Sequence, residues 1–333
     1  MIRRSLRHTA AWFQFLPAAL AWGWLLFAPT TVISAERIPQ SNHPSETLAP
    51  QRATKELPDE LLPNAMQIAP EIFSGGQPHG DQAFAALQRA GFRTLISVDG
   101  ATPDVEAASS HGLRYVHLPF GYDGIGSARR LDLAKALRDL PKPLYVHCHH
   151  GKHRSPAAAI SGCRLLGLIT PEQARRALAA AGTSPHYVGL FQAVANSTPL
   201  PPAEIDAHAV DFRATLPIPA MAEAMVELEH EFDRLSLLHD ADWRVPAEHD
   251  DLDPAHEALL VREHFAELLR TKEAARKQPE FLVMLRHSEQ TSAALEGLLR
   301  ASVLDLEATR RQFQLLKADC KACHLKFRDV PQD

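Results

Sequence analysis

Tyr145-Val146-His147-Cys148-His149-His150-Gly151-Lys152-His153-Arg154-Ser155 is the stretch whose reading decides the first half of this chain. An apolar run over Leu144–His147 leads into it, and a helical pattern over 154–167 leads out. A strand that ends in a tight loop and opens a helix turns successive backbone N–H groups inward. The helix N-terminus adds partial positive charge, so the loop cradles an anion of phosphate size. Arg154, six positions after Cys148, offers a planar fork for two anion oxygens. The same field favours a Cys148 thiolate, a nucleophile at neutral pH. Gly151 permits the tight backbone path. Ser155 is expected to donate a hydrogen bond to the thiolate and help it leave in a second step. A bare Cys-x5-Arg match arises easily by chance; the flanking His147, Gly151 and Ser155 and the strand–loop–helix context give it specificity.

Working outward, residues 64–197 alternate β-like runs with helical patterns. The β-like runs are Ile68–Ser74, Thr94–Val98, Arg114–Leu118 and Leu144–His147. Helical stretches lie near 80–90, 102–110 and 127–139, and three more follow near 154–167, 171–182 and 185–196. This alternation predicts an α/β domain with a mainly parallel sheet flanked by helices. Thr170-Pro171-Glu172-Gln173 reads as a capped helix start.

The loop and its setting resemble the protein tyrosine and dual-specificity phosphatase superfamily, whose signature is His-Cys-x5-Arg-Ser/Thr. The resemblance covers about 64–197. Ser74-Gly75-Gly76-Gln77-Pro78 looks like the start of a compact bacterial subgroup. It implies Cys148 as nucleophile and a phosphate-binding loop of His149, His150, Gly151, Lys152, His153 and Arg154. It also implies a general acid on a separate loop, and Asp123 in Pro119-Phe120-Gly121-Tyr122-Asp123-Gly124 stands where that family places it. Asp-Gly is also a common turn pair, and Asp99 is the reserve candidate. His147, His149, His150 and His153 can be read as a metal cluster, but around a phosphate loop they more simply supply positive charge and hydrogen bonds. Cys163, on the apolar helix that follows, reads as core rather than as a redox partner.

Beyond a stretch with five prolines between 197 and 219, the pattern becomes wholly helical. Met221, Met225, Leu228, Phe232 and Leu235 share one face; Ala258, Val261, Phe265 and Leu268 another. Phe281, Met284, Leu295 and Leu298 fit a third helix, and Leu306, Phe313, Leu316, Cys320, Cys323 and Phe327 a fourth. Four amphipathic helices predict an all-α four-helix bundle over 217–333, after a Pro-rich linker at 198–216. Near its end stands Cys320-Lys321-Ala322-Cys323-His324, the Cys-x-x-Cys-His attachment sequence of c-type haem. Two thiols three residues apart on a helix each add to one haem vinyl group, and the adjacent imidazole reaches the iron. A zinc site, a redox dithiol and a local disulfide are the rivals. No other Cys is close enough for zinc, and a redox dithiol normally opens a helix after a strand.

Cys320–Arg328 resembles the end of the cytochrome c′ family, whose pattern is Cys-x-x-Cys-His-x-x-Tyr/Phe-Arg near the C-terminus of a four-helix bundle. That resemblance implies one covalent haem c, His324 as proximal iron ligand, and Phe327 and Arg328 beside the haem. Met225 or Met221 is the candidate sixth ligand, although their spacing equally makes them core. Relatives there often pair, so a homodimer is one expectation.

At the other end, Arg3, Arg4 and Arg7 precede an apolar stretch over Ala10–Ala28, and Ala35 offers a small residue for cleavage before Glu36. This predicts a secretory signal peptide over 1–35, with an uncleaved anchor as the rival, then a flexible leader over 36–63. The expected location is periplasmic or secreted, which suits haem attachment outside the cytoplasm. The formal charge of −5, about −8 after loss of three Arg, argues against a nucleic-acid partner. No later segment reads as a membrane span. The combination points to an exported phosphatase acting on a phosphorylated substrate, with a haem domain serving a redox partner or small gas. Two alternatives remain: a cytochrome whose first domain only binds phosphate or sulfate, and a protein-interaction module on a phosphatase-like scaffold.

Overall fold

The computed structural model describes residues 57–329. The expected signal segment, 1–35, and most of the expected leader lie outside the described residues. The first half contains β1 (Met66–Ala69), β2 (Ile72–Gly76), α1 (Gly80–Arg89), β3 (Thr94–Ser97), α2 (Val105–Ser110), β4 (Arg114–His117) and α3 (Ser127–Asp139). It continues with β5 (Leu144–Cys148), α4 (Arg154–Leu165), α5 (Pro171–Ala180) and α6 (Val188–Ala195). The sheet order is β1-β2-β5-β3-β4. Only β1 runs antiparallel to its neighbour; β2, β5, β3 and β4 are parallel.

The run expected as one strand over Ile68–Ser74 is a hairpin of two. Pro70 lacks the N–H that a continuing ladder needs. Glu71, at φ 59°, reverses the chain between β1 and β2.

Strand periodicity sorts the core into two faces. Ile96, Val116 and Val146 pack with Leu133 and Leu137 of α3, Ile160 of α4, Leu178 of α5 and Leu190 of α6. Their neighbours Leu95, Tyr115 and Tyr145 pack on the other face with Phe84 and Leu87 of α1 and Ala108 of α2. Each such aliphatic side chain contributes roughly 1.5–3 kcal/mol when fully buried. Leu62, within the stretch expected as flexible leader, is fully buried in the second cluster. The fold thus begins before residue 64, because Tyr145 and Phe84 present an apolar face that Leu62 covers.

β5 lies at the centre of the sheet with all five residues buried, and every residue of α4 is buried too. The loop between them is held on both sides by packed elements, which is what a preorganised site needs. α5 starts as the Thr170 motif predicts. Thr170 Oγ1 accepts from Gln173 N at 3.2 Å, and Gln173 Oε1 accepts from Thr170 N at 2.7 Å.

The Pro-rich stretch forms a short helix, α7 (Pro202–Ala207), and lies along the α/β half. Ile205 is buried, and Lys135 Nζ of α3 donates to its carbonyl at 3.2 Å. His117 N of β4 donates to Arg213 O at 2.9 Å, and Leu216 N donates to His117 Nδ1 at 3.1 Å. These bonds occupy groups on an edge strand that would otherwise stay unpaired.

The remainder is helical: α8 (Ala220–Asp240), α9 (Pro254–Arg270), a 3-10 turn at Ala274–Arg276, α10 (Pro279–Leu299) and α11 (Leu306–Phe327). Leu228, Leu235, Val261, Phe265, Phe281, Leu295, Phe313 and Leu316 share one core. Phe232 of α8 stacks on Phe313 of α11 at 5.3 Å, so the first and last of these helices meet. No helix among the described residues is long and apolar enough to cross a membrane.

Candidate active site

Cys148 ends β5, and its thiol is 2% exposed at the floor of the loop. Its Sγ lies 3.3 Å from Ser155 Oγ, and Ser155 Oγ is 3.0 Å from the Gly75 carbonyl. The one hydroxyl proton therefore serves two acceptors. It bonds Gly75 O while the thiol keeps its own hydrogen, and it turns to sulfur when the thiolate forms. Gly151 has φ +71°, and a Cβ there would strike Gly76 N and Gly75 C. Only glycine lets the loop pass so close to the end of β2. Asn64 Nδ2 donates to Gly151 O at 2.8 Å and to Ala181 O at 3.0 Å. Gln77 N donates to His149 O at 3.1 Å, and Thr183 Oγ1 donates to Lys152 O at 2.7 Å. Three loop carbonyls are thus tied outward, by Asn64, Gln77 and Thr183.

Asp99, just beyond β3, organises the loop from beside the Arg. Its Oδ2 accepts from Arg154 Nη2 at 2.8 Å and from His149 N at 2.7 Å, and its Oδ1 accepts from Ala101 N at 3.2 Å. Burial pushes the Asp99 carboxyl up, but the Arg154 guanidinium and the two backbone N–H donors hold it below the usual carboxylate range. A carboxylate held ionised and fully engaged is not a proton donor, so the reserve assignment of Asp99 as general acid gives way to a positioning role. Arg154 is itself buried, and its Nε has no hydrogen-bond partner among the described residues. A buried guanidinium with a free N–H calls for an anionic acceptor.

The four loop histidines do not act alike. His147 points away, with Nε2 at 2.6 Å from Tyr115 Oη, and burial pushes its pKa down to about 3. His153 accepts from Ser184 N at 3.3 Å, and burial pushes it down to about 4. Both are neutral at pH 7, so of the positive charge and hydrogen bonds expected from the four, these two supply hydrogen bonds alone. His149 is raised by its hydrogen bond to Asp233 of α8, at 3.2 Å. His150 Nε2 lies 3.7 Å from Glu229 Oε1, also on α8.

Asp123 follows Tyr122, whose ring lies 4.4 Å from the Arg154 guanidinium carbon. Gly189 of α6 packs against the Asp123 carbonyl so closely that a Cβ would not fit. Among the described residues, no side-chain hydrogen bond joins Asp123 to the Cys148 loop. With Arg130, Gln192 and Asn196 it lines a groove of about 290 Å³ to which no residue of the Cys148 loop contributes.

The Cys-x-x-Cys-His motif lies in the last turns of α11. Cys323 is buried, Cys320 and His324 are half-buried, and Lys321 and Ala322 are exposed. The i, i+3, i+4 spacing puts the two sulfurs and the imidazole on one face. Burial pushes the Cys320 thiol up to about 12, raises that of Cys323, and pushes His324 down to about 4. Two protonated thiols and a neutral imidazole are a donor set that suits a covalent haem. Met221 and Met225 are half-buried against the core that holds Cys323, and Phe327 meets Phe281 edge-on at 5.4 Å. Arg328, implied as a haem neighbour, acts electrostatically on Cys320, Cys323 and His324 and also reaches into the α/β half. Its guanidinium carbon lies 4.3 Å from the Tyr122 ring, and Nη2 is 3.5 Å from Tyr187 Oη.

Sequence reading missed Asn64, Tyr122, Glu229 and Asp233 as neighbours of the loop. Nothing local marks them, since each is brought in by tertiary packing from 26 to 85 positions away.

No protein-family model and no curated protein matches the chain. Solved structures do. A DUF442 protein from Shewanella putrefaciens CN-32 is similar over 42% of this chain and 97% of its own, with 19% identity and a TM-score of 0.35. TpbA of P. aeruginosa is similar over 45% and 99%, with 22% identity and a TM-score of 0.33. Tk-PTP in its active form is similar over 40% and 96%, with 15% identity and a TM-score of 0.32.

Proposed function

We propose that the chain is an exported phosphatase that hydrolyses phosphate monoesters through a phosphocysteine intermediate, joined to a four-helix domain carrying one covalent haem c. The observation that carries the phosphatase reading is the Cys148–Ser155 pair at 3.3 Å beside a buried Arg154 that Asp99 holds at 2.8 Å.

The Cys148 thiolate attacks phosphorus in line with the leaving oxygen. The S–P bond forms as the P–O bond breaks, and Arg154 with the loop amides holds the three equatorial oxygens. Asp123 gives its proton to the leaving oxygen. In the second step Asp123 takes a proton from water, whose oxygen attacks phosphorus and expels the sulfur. Ser155 donates to the departing thiolate. This role needs the Asp123 carboxyl to turn toward the loop from its position beside Tyr122.

Cys320 and Cys323 would tether the haem and His324 would bind its iron. When bound, the haem supplies one-electron exchange or a site for a small gas. Met225 is the proposed sixth ligand, and the protonation states of the motif support the fit. Export rests on the charge and apolar pattern of residues 1–35 and suits haem attachment.

The test is release of phosphate from an aryl phosphate by the mature chain and by Cys148→Ser, with an optical spectrum of the same sample, oxidised and reduced. Hydrolysis lost in Cys148→Ser supports the reading; equal hydrolysis overturns it. A second reading, a cytochrome with a non-catalytic phosphate-binding domain, draws on the lack, among the described residues, of a side-chain hydrogen bond between Asp123 and the loop. No hydrolysis by a haem-loaded sample would select it.

A further inference from the structure

The rim of the phosphate loop and the middle of α8 bring two imidazoles and two carboxylates to one place. We propose that His149, His150 and Glu229, completed by Asp233, form a binding site for a divalent cation of the zinc class. The ligand atoms of His149, His150 and Glu229 all lie within 4.8 Å of one another. His150 Nε2 is 3.7 Å from Glu229 Oε1, and His149 Nε2 is 3.2 Å from Asp233 Oδ2.

A tetrahedral zinc with bonds of ~2.0–2.1 Å sets its ligand atoms roughly 3.3 Å apart, so side-chain rotations bring His149, His150 and Glu229 into a shell, and Asp233, 3.2 Å from His149, is the fourth ligand proposed from the same helix as Glu229. Two imidazoles and two carboxylates are a borderline-soft donor set; calcium and magnesium take oxygen alone. The two carboxylates also balance a dication. The frame is fixed, because His149 N donates to the buried Asp99 carboxylate at 2.7 Å and α8 is packed into its own core. His150 and Glu229 are half-open to solvent, which gives the ion an entry path. His230 and His79 stand behind, with ring centroids 5.8 and 6.3 Å from that of His149. Bound there, the ion ties α8 to the mouth of the loop.

The test is a Zn²⁺ titration of the full haem-loaded chain against a chromophoric chelator, with zinc-edge X-ray absorption of the product. One equivalent bound through nitrogen and oxygen alone is expected, with affinity reduced at least tenfold in both Glu229→Gln and His150→Ala. Each replaces a half-exposed side chain, and thermal melts check that the fold survives. Cys148→Ser should bind Zn²⁺ like the wild type, so failure of the phosphatase reading leaves this site untouched. Sulfur in the zinc shell, or unchanged affinity in Glu229→Gln and His150→Ala, overturns the proposal.

Discussion

Replacing Asp99 by Asn tests the organisation of the loop most directly. The two side chains have the same shape, so packing is preserved, but the charge partner of Arg154 disappears. One amide oxygen still accepts from His149 N or from Ala101 N. The amide NH₂ then faces a donor, either Arg154 Nη2 or one of those backbone groups, where 2.7–3.2 Å bonds stood. Breaking a buried pair by removing one partner costs about 3–5 kcal/mol, and the retained bond places this case near ~3 kcal/mol. Misalignment of the main oxyanion donor costs on the order of 10²-fold in kcat/KM. The assays are urea unfolding and initial rates on two aryl phosphates, one with a good and one with a poor leaving group. A positioning loss lowers both rates equally; a lost proton donor harms mainly the poor leaving group. The pH dependence has a fixed sign. Because Asp99 is held below the usual range, wild type keeps its full advantage over Asp99→Asn above the unfolded carboxyl value of ~3.9 and loses it as pH falls through the lower folded value. Unchanged stability and rates, or a loss confined to the poor leaving group, would refute the positioning role.

Cys148→Ser should lower phosphate release by on the order of 10⁴-fold or more while leaving the optical spectrum unchanged, and initial rates measure it. Asp123→Asn should lower kcat for a poor leaving group by on the order of 10²-fold and spare a good one; equal effects on both would remove the acid assignment. Glu257, buried on α9 with an oxygen lacking a hydrogen-bond partner, has its carboxyl pushed up to about 6 by burial and by Glu231. A raised carboxyl favours the fold below the unfolded value and loses that contribution as pH rises through the folded one. Glu257→Gln should therefore gain about 1–2 kcal/mol relative to wild type between pH 4.5 and pH 7, read from urea midpoints at both pH values. A pH-independent difference would refute it.

What the sequence disclosed and what it hid follow from distance along the chain. The loop over 148–155 was legible because a strand end, an anion nest and a helix start are contiguous and need each residue type at a fixed offset. The sheet was legible because alternation at Leu95-Ile96, Tyr115-Val116 and Tyr145-Val146 sorts side chains between two faces. The hairpin at Pro70-Glu71 was missed because a single apolar run carries no mark of reversal except one proline. Asp99 was noticed as a carboxylate near the right strand. It was kept only as the reserve acid behind Asp123, because only the folded chain shows which of its oxygens are already engaged. Glu229 and Asp233 lie on a helix whose apolar stripe was read correctly, yet nothing in that stripe says which outside surface its polar face meets.

That meeting of surfaces offers a physical route by which a haem held at Cys320 and Cys323 would act on the phosphatase site. Arg328 lies one helical turn beyond His324, and its guanidinium sits over Tyr122 at 4.3 Å, while Arg154 meets the same ring at 4.4 Å. Tyr122 adjoins Asp123, so whatever fixes the ring also fixes the loop that carries the proposed acid. A cation–π contact of this kind is worth about 0.5–2 kcal/mol, which corresponds to roughly 2- to 30-fold in rate. Arg328→Ala should lower kcat/KM within that range without changing the thiolate chemistry of Cys148. If the haem acts through this contact, any difference in turnover between oxidised and reduced samples shrinks in the variant. A redox difference of the same size in Arg328→Ala and wild type would exclude this route, and equal turnover in both states of the wild type would exclude coupling altogether.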